Sequence, residues 1–290
     1  MLREITSATP WRAFFIFAAL TLRLCAAPVA GAPPELVQTG KPDAAEAAAI
    51  LEQFRHAGIP GGYYLEFELR TRPRRGEEKV FGGRLWGGRN DQGAVNRIEL
   101  TDAAGRPHRL LVQNGERGKV WRVETGKAVP VEAAALLAPV IPGVEISAFD
   151  LQMPYLYWPG GVLHGIKRVL GRPAYVFAFP APADFSAGPH EIAATQAYLD
   201  TQFNVLLKTE LLDREGRVLK TFAIVSLKTL DRQPLPKAID FLNGISRDKT
   251  RLQITSAALN LDLAPALFDP ATLPDDVRPP AAEQRLRMDP

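Results

Sequence analysis

From residue 63 the chain alternates with a period of two, and this rhythm limits its fold more than any other feature. Tyr63, Leu65, Phe67 and Leu69 share one side, and Tyr64, Glu66, Glu68 and Arg70 the other. That is the pattern of a strand with one apolar face. The pattern, or a short β-prone run, returns at 80–86, 94–100, 108–113, 120–124, 162–170, 174–180, 197–200, 205–212, 218–227, 237–243 and 251–259. Gly- and Asn-bearing turns separate the runs, the clearest being Asp213-Arg-Glu-Gly216. Strands about 12 residues apart leave no room for parallel crossovers, so they must form antiparallel hairpins. A sheet of about ten strands is near the size at which open sheets curl. The fold class expected is therefore mainly β (α+β), a curved antiparallel sheet with a few short helices.

Those helices fall in two places. Asp43 can cap a helix over 43–56, whose stripe is Ala47, Ile50, Leu51 and Phe54, ending at Gly58-Ile-Pro-Gly-Gly62. Segments 131–137 and 147–157 also read as short helices, the second opened by a Ser147–Asp150 capping box and interrupted at Pro154. Composition does not break between 43 and 273, which predicts one domain. Residues 274–290, rich in proline and charge, predict a flexible tail.

The first thirty residues differ in kind. Arg3 and Arg12 precede an apolar run over 13–22, and the small residues of 25–32 follow. A positive region, a short apolar run and small residues make a secretory signal peptide at 1–30, with 31–42 as a leader. Arg23 cuts the run below the roughly 20 residues a membrane span needs, and no other stretch reaches that length. Leu22-Arg23-Leu24 is too bulky and charged to precede a lipidated cysteine, so cleavage is expected between Ala26 and Ala32 rather than lipid-anchoring at Cys25. The mature protein is thereby expected in the periplasm, with no transmembrane anchor after processing and no cysteine chemistry. The chain's net charge of +3 also shrinks, because residues 1–30 hold three arginines against one glutamate and leave +1 for the remainder.

Local catalytic motifs are weak. His56, His108, His164 and His190 are scattered without metal-ligand spacing, and no serine sits in G-x-S-x-G. Ser246-Arg-Asp-Lys249 lacks the companion motifs of a serine–lysine enzyme. Gly82-Gly-Arg-Leu-Trp-Gly-Gly88 lacks phosphate-loop spacing, and its glycines suit bends or bulges in a curved strand. Arg70, Arg72, Arg74 and Arg75 are followed at once by Glu77 and Glu78, so they predict a solvated turn first, a contact with lipid head groups second and a nucleic-acid surface a distant third. No catalytic residue, metal or cofactor is expected.

What the mature chain has in excess is apolar strand surface: Tyr175, Phe177 and Phe179 on one strand, Phe222 and Ile224 on another, Ile239 and Phe241 on a third. Under short apolar helices such a curled sheet either packs as an ordinary core or encloses an apolar ligand.

Several segments resemble the periplasmic lipoprotein carriers, most closely the outer-membrane lipoprotein-sorting branch (LolA-like and LolB-like). These are Leu111-Val-Gln-Asn-Gly-Glu-Arg-Gly-Lys-Val-Trp121 with Glu124-Thr-Gly-Lys127, and Gly171-Arg-Pro-Ala-Tyr-Val-Phe177. The stretch from Thr209-Glu-Leu-Leu-Asp-Arg-Glu-Gly-Arg-Val-Leu219, through Pro234-Leu-Pro-Lys237 to Asn260 and Phe268, completes the likeness. The resemblance implies an incomplete β-barrel closed by helices over a hydrophobic cavity. It also implies a non-enzymatic protein that binds acyl chains of lipoproteins or other lipids between an inner-membrane donor and an outer-membrane acceptor. Candidate cavity residues are then Tyr63, Leu65, Phe67, Leu69, Trp86, Trp121, Tyr175, Phe177, Phe179, Phe222 and Ile224. Candidate lid residues are Phe149, Leu151, Met153, Tyr155 and Trp158, with Arg89 as the arginine that holds the lid. A secreted lipid hydrolase and an envelope-stress sensing or structural module of the same fold are the rival readings.

Overall fold

The computed structural model describes residues 42–185 and 192–288. The signal segment 1–30, Cys25, the leader up to residue 41 and His190 lie outside the described residues. The chain enters through α1 (Ala44–His56), started by a reciprocal capping box between Asp43 and Glu46. Six strands then follow as an up-and-down meander: β1 (Gly62–Arg72), β2 (Lys79–Asn90), β3 (Gly93–Thr101), β4 (Pro107–Gln113), β5 (Lys119–Glu124) and β6 (Lys127–Pro130). A second meander holds β7 (Val162–Val169), β8 (Arg172–Pro180), β9 (Ala194–Asp200), β10 (Leu206–Leu212), β11 (Val218–Leu230), β12 (Gln233–Asn243) and β13 (Lys249–Leu261).

The two meanders become one antiparallel sheet because β1 pairs with β13, from Gly62 opposite Leu261 to Arg72 opposite Lys249. The order is β6-β5-β4-β3-β2-β1-β13-β12-β11-β10-β9-β8-β7, so β6 and β7 remain edges and the sheet does not close. The segment between those edges carries α2 (Ala148–Gln152) and a 3-10 turn over Pro154–Tyr157. With α1, it covers the sheet's inner face and its large apolar core.

Three local expectations change. The helix expected over 147–157 is two pieces, because Met153 takes a left-handed conformation (φ 50°) just before Pro154. The one expected over 131–137 shrinks to a single 3-10 turn at Ala133–Ala135. The end of the expected tail is attached to the sheet, although much of residues 274–288 is exposed: β14 (Leu286–Arg287) pairs with β13 at Ser256 and Ala257. That pairing fills the edge which β12 leaves, since β12 accompanies β13 only from Lys249 to Gln253. Met288 then packs into the main core.

Candidate functional site

Strand parity decides what faces the interior. Leu65, Phe67, Leu69, Tyr175, Phe179 and Phe222 are all buried in the main apolar core, and Tyr63 and Ile224 pack against it half-buried. Trp86 and Trp121 are not in that core, which corrects their assignment as cavity residues. Tyr64 stands opposite Trp86, Trp86 opposite Arg97, Arg97 opposite Leu111, and Leu111 opposite Trp121. Residues in one cross-strand row share a face, and this row lies on the opposite side of the pleat from Leu65 and Phe67. There Trp86 packs with Tyr64 and Ala258, and Trp121 packs beside Val95, Leu111 and Leu273.

The interior beneath the helices is closely filled. Phe149, Tyr155, Trp158, Phe179 and Phe185 form an aromatic cluster with neighbouring ring centroids 4.9 to 6.4 Å apart. Phe149 and Tyr155 are buried, whereas Leu151, Met153 and Trp158 are half-buried. Burial, reinforced by the charge of Asp150, pushes the Tyr155 phenol far above its ordinary range. Phe185 comes from a segment without strand or helix periodicity, so alternation gave no signal for it.

An open cleft of about 990 Å³ adjoins this cluster, between α1 and the chain entering β7. Ala47, Leu51, Trp158, Leu163 and Phe177 give it apolar walls, and Glu52, Arg55 and Glu116 stand among its polar groups. Small residues keep it wide: Ala47, Ala48 and Ala49 on the helix side, Gly160 and Gly161 opposite. A Cβ at Gly161 would lie 2.8 Å from the Phe179 ring. Of the candidate residues, Phe177 and Trp158 line this cleft; the other inward-facing candidates belong to the packed core or pack against it.

Polar contacts fix the cover at its perimeter. Arg55 on α1 donates from Nε to the Leu156 carbonyl at 2.8 Å, with its guanidinium 5.2 Å from the centre of the Tyr157 ring. Arg89, expected to hold the lid, instead donates to the carbonyls of Ala57 (2.9 Å) and Arg55 (3.4 Å). It therefore secures the C-terminus of α1, where carbonyls lack helical partners, and Arg55 carries the connection onward to the 3-10 turn. Asn114 donates to the Gln152 carbonyl at 2.6 Å at one end of α2, and Lys220 pairs with Asp150 at the other. Arg55 follows Phe54 at the end of the α1 stripe and Lys220 shares a strand face with Val218 and Phe222, but neither belongs to a motif, so the sequence did not mark them.

Close approach explains two of the glycines. A Cβ at Gly83 would lie 2.2 Å from the Phe67 ring, and one at Gly87 would lie 2.0 Å from the Tyr63 ring. Tyr63 crosses Gly87 and donates from its phenol to Asn96 Oδ1 at 2.8 Å. Burial pushes this phenol up to about 12, against the opposing charge of Arg89. The expected bulges are not the reason, since both β2 ladders run without a register shift.

Outside the cover, the charge clusters are neutralised locally. Arg70 pairs with Glu68 (3.0 Å) and Glu78 (3.5 Å), and Arg72 with Glu78 (3.5 Å). Among the described residues no three His, Cys, Asp or Glu side chains stand close enough to hold a metal. No helix among them is long and apolar enough to cross a membrane.

A family model described as "Uncharacterized protein"-like matches residues 188–275. No curated protein matches the chain. Among solved structures, an outer membrane lipoprotein-sorting protein domain from Vibrio parahaemolyticus aligns with 79% of this chain and 97% of its own, at 16% identity and a TM-score of 0.67. A DUF1329 family protein from Desulfovibrio piger aligns over 79% and 96% respectively, at 13% identity and a TM-score of 0.63. A LolA superfamily protein from Nitrosomonas europaea aligns over 77% and 97%, at 16% identity and a TM-score of 0.58. At such identities the likeness is one of architecture, and this chain has the fold of the LolA-like lipoprotein-sorting domains.

Proposed function

We propose that this protein is a periplasmic, non-enzymatic binder of the acyl chains of lipoproteins or similar lipids, acting in their sorting or transport. The observation that carries the proposal is the cleft of about 990 Å³ between α1 and the start of β7, lined by Ala47, Leu51, Trp158, Leu163 and Phe177. Its volume lies at the upper end of the range of roughly 300–1,000 Å³ typical of ligand pockets. Each methylene buried there contributes about 0.8 kcal/mol, so part of an acyl chain suffices for useful affinity. In this reading 1–30 exports the chain, an inner-membrane donor supplies the cargo and an outer-membrane acceptor receives it. The aromatic cluster behind Trp158 bounds the cleft on its inner side.

The test is uptake of a fluorescent fatty acid by delipidated protein, with mass spectrometry of an organic extract for co-purified lipid. Ala48 lines the cleft from the exposed side of α1, so Ala48→Trp should fill the cleft without entering the core. Affinity should fall at least about tenfold while the circular dichroism spectrum stays unchanged; unchanged uptake would remove the cleft from the proposal. The packed interior favours one rival, a sensing or structural module with a filled core. That rival predicts no lipid in the extract and no uptake by the unmodified protein.

A further inference from the structure

The interior beneath α2 contains a polar island that packing alone does not require. Lys220 enters from β11, pairs with Asp150, and donates to Ser147 Oγ at 3.3 Å. Asp150 is also held in its own capping box, accepting from Ser147 N (2.8 Å) and Ser147 Oγ (2.6 Å). Thr209 on β10 and the Tyr155 side chain stand beside them. Thr195 on β9, paired in register with Phe179 and Leu211, is 1% exposed. Its hydroxyl has no hydrogen-bond partner among the described residues.

Apart from Ser147, these side chains line a void of about 10 Å³, with Phe149, Leu211 and Phe222 on its apolar side. A void of that size admits one water-sized group, hence one oxygen atom. An unpaired buried hydroxyl is costly, and a valine of nearly the same shape would remove that cost. The island also lies on the inward path from the cleft, because Phe149 and Tyr155 stand 5.9 and 6.4 Å from Trp158, which lines the cleft.

We propose that Thr195 and Lys220 form a buried polar subsite that receives the carbonyl or carboxylate oxygen of an acyl ligand when α2 carries Asp150 and Phe149 aside. The proposal rests on the acyl-binding reading above. In the closed form Asp150 holds the cation, and in the loaded form the acyl oxygen takes its place with a hydrogen bond from Thr195. The chain then runs outward past Trp158 into the cleft. The chemistry recognised is an acyl oxygen, whether of a free fatty acid or of an ester.

The test is displacement of a bound hydrophobic dye by dodecanoic acid, methyl dodecanoate and dodecane, using the full exported protein. Thr195→Val should weaken the two oxygenated ligands about fivefold to tenfold, the size of one lost hydrogen bond, and leave dodecane unchanged. It should not lower the melting temperature, because no hydrogen bond is lost. Thr195→Ser keeps the hydroxyl and should retain the selectivity. Asp150→Asn with Lys220→Met removes both charges and preserves a cap, and should weaken dodecanoic acid more than its ester.

Wild-type preference for the acid indicates a free carboxylate as cargo, and equal affinity for acid and ester indicates esterified lipid; either supports the subsite. Equal weakening of all three ligands by Thr195→Val, or no change in any, overturns the subsite and leaves the acyl-binding function standing. Failure of all three to displace the dye from the wild-type protein overturns both.

Discussion

At the scale of single residues, the glycines of β2 show where sequence reading needs a spatial partner. The run Gly82-Gly-Arg-Leu-Trp-Gly-Gly88 signals a strand with missing side chains, and curvature is one reason for them. The structure supplies another: rings of Phe67 and Tyr63, projecting from β1, occupy the places of absent Cβ atoms at Gly83 and Gly87. Gly87→Ala should destabilise the protein by about 1–3 kcal/mol, the usual cost of overpacking. Urea unfolding in a cycle with Tyr63→Ala checks this, since removing the ring should abolish most of the penalty. A full penalty in the Tyr63→Ala background would mean that backbone conformation, not the ring, demands glycine. Arg97 was equally opaque to sequence. It is almost fully buried on the outer face and donates to the carbonyls of Thr272 (3.0 Å), Leu273 (3.1 Å) and Asp275 (2.5 Å). Only the folded chain brings those acceptors to β3.

At the scale of elements, period two located most strands, and the Asp43 cap located α1, because both signals are carried by contiguous residues. It failed for β6 and β14, of four and two residues, which are too short to show a period. It also failed for the C-terminal segment, whose proline and charge suggested looseness. Those charges are the attachment: Arg109 bonds the Pro274 carbonyl and pairs with Asp276, and Arg285 pairs with Glu66 at 2.6 Å. Burial alone would raise the Glu66 pKa, but hydrogen bonds from Ser256, Tyr64 and Arg285 outweigh it and hold the group below its ordinary value of 4.5. A carboxylate with a depressed folded pKa contributes stability above its unfolded pKa and loses it as pH falls through the folded value. Residues 285–288 should therefore lose protection from amide exchange as pH drops below about 4, while the sheet interior stays protected. Glu66→Gln should loosen the same residues already at pH 7, and equal protection at both pH values would exclude this role for Glu66.

At the scale of the whole molecule, the seam between β1 and β13 converts two local meanders into one sheet by joining residues near opposite ends of the described chain. Closing so long a loop must precede the contacts that reward it. Refolding from urea should accordingly take about a second or longer, in the slow range of β proteins, and stopped-flow tryptophan fluorescence measures it. Complete refolding within about a millisecond would show that the seam does not limit the rate. The sequence by itself determined the antiparallel class, the positions of nearly all strands, the capped first helix and the inward parity of Leu65, Phe67, Phe177 and Phe179. These follow from backbone geometry and solvent, which act on neighbouring residues. Only the tertiary structure decided that Trp86 and Trp121 face away from the main core, that Arg89 secures α1 while Arg55 reaches the cover, and that the interior is filled beside an open cleft. Those outcomes depend on which segment comes to lie against which face, and periodicity along one strand carries no record of its distant partner.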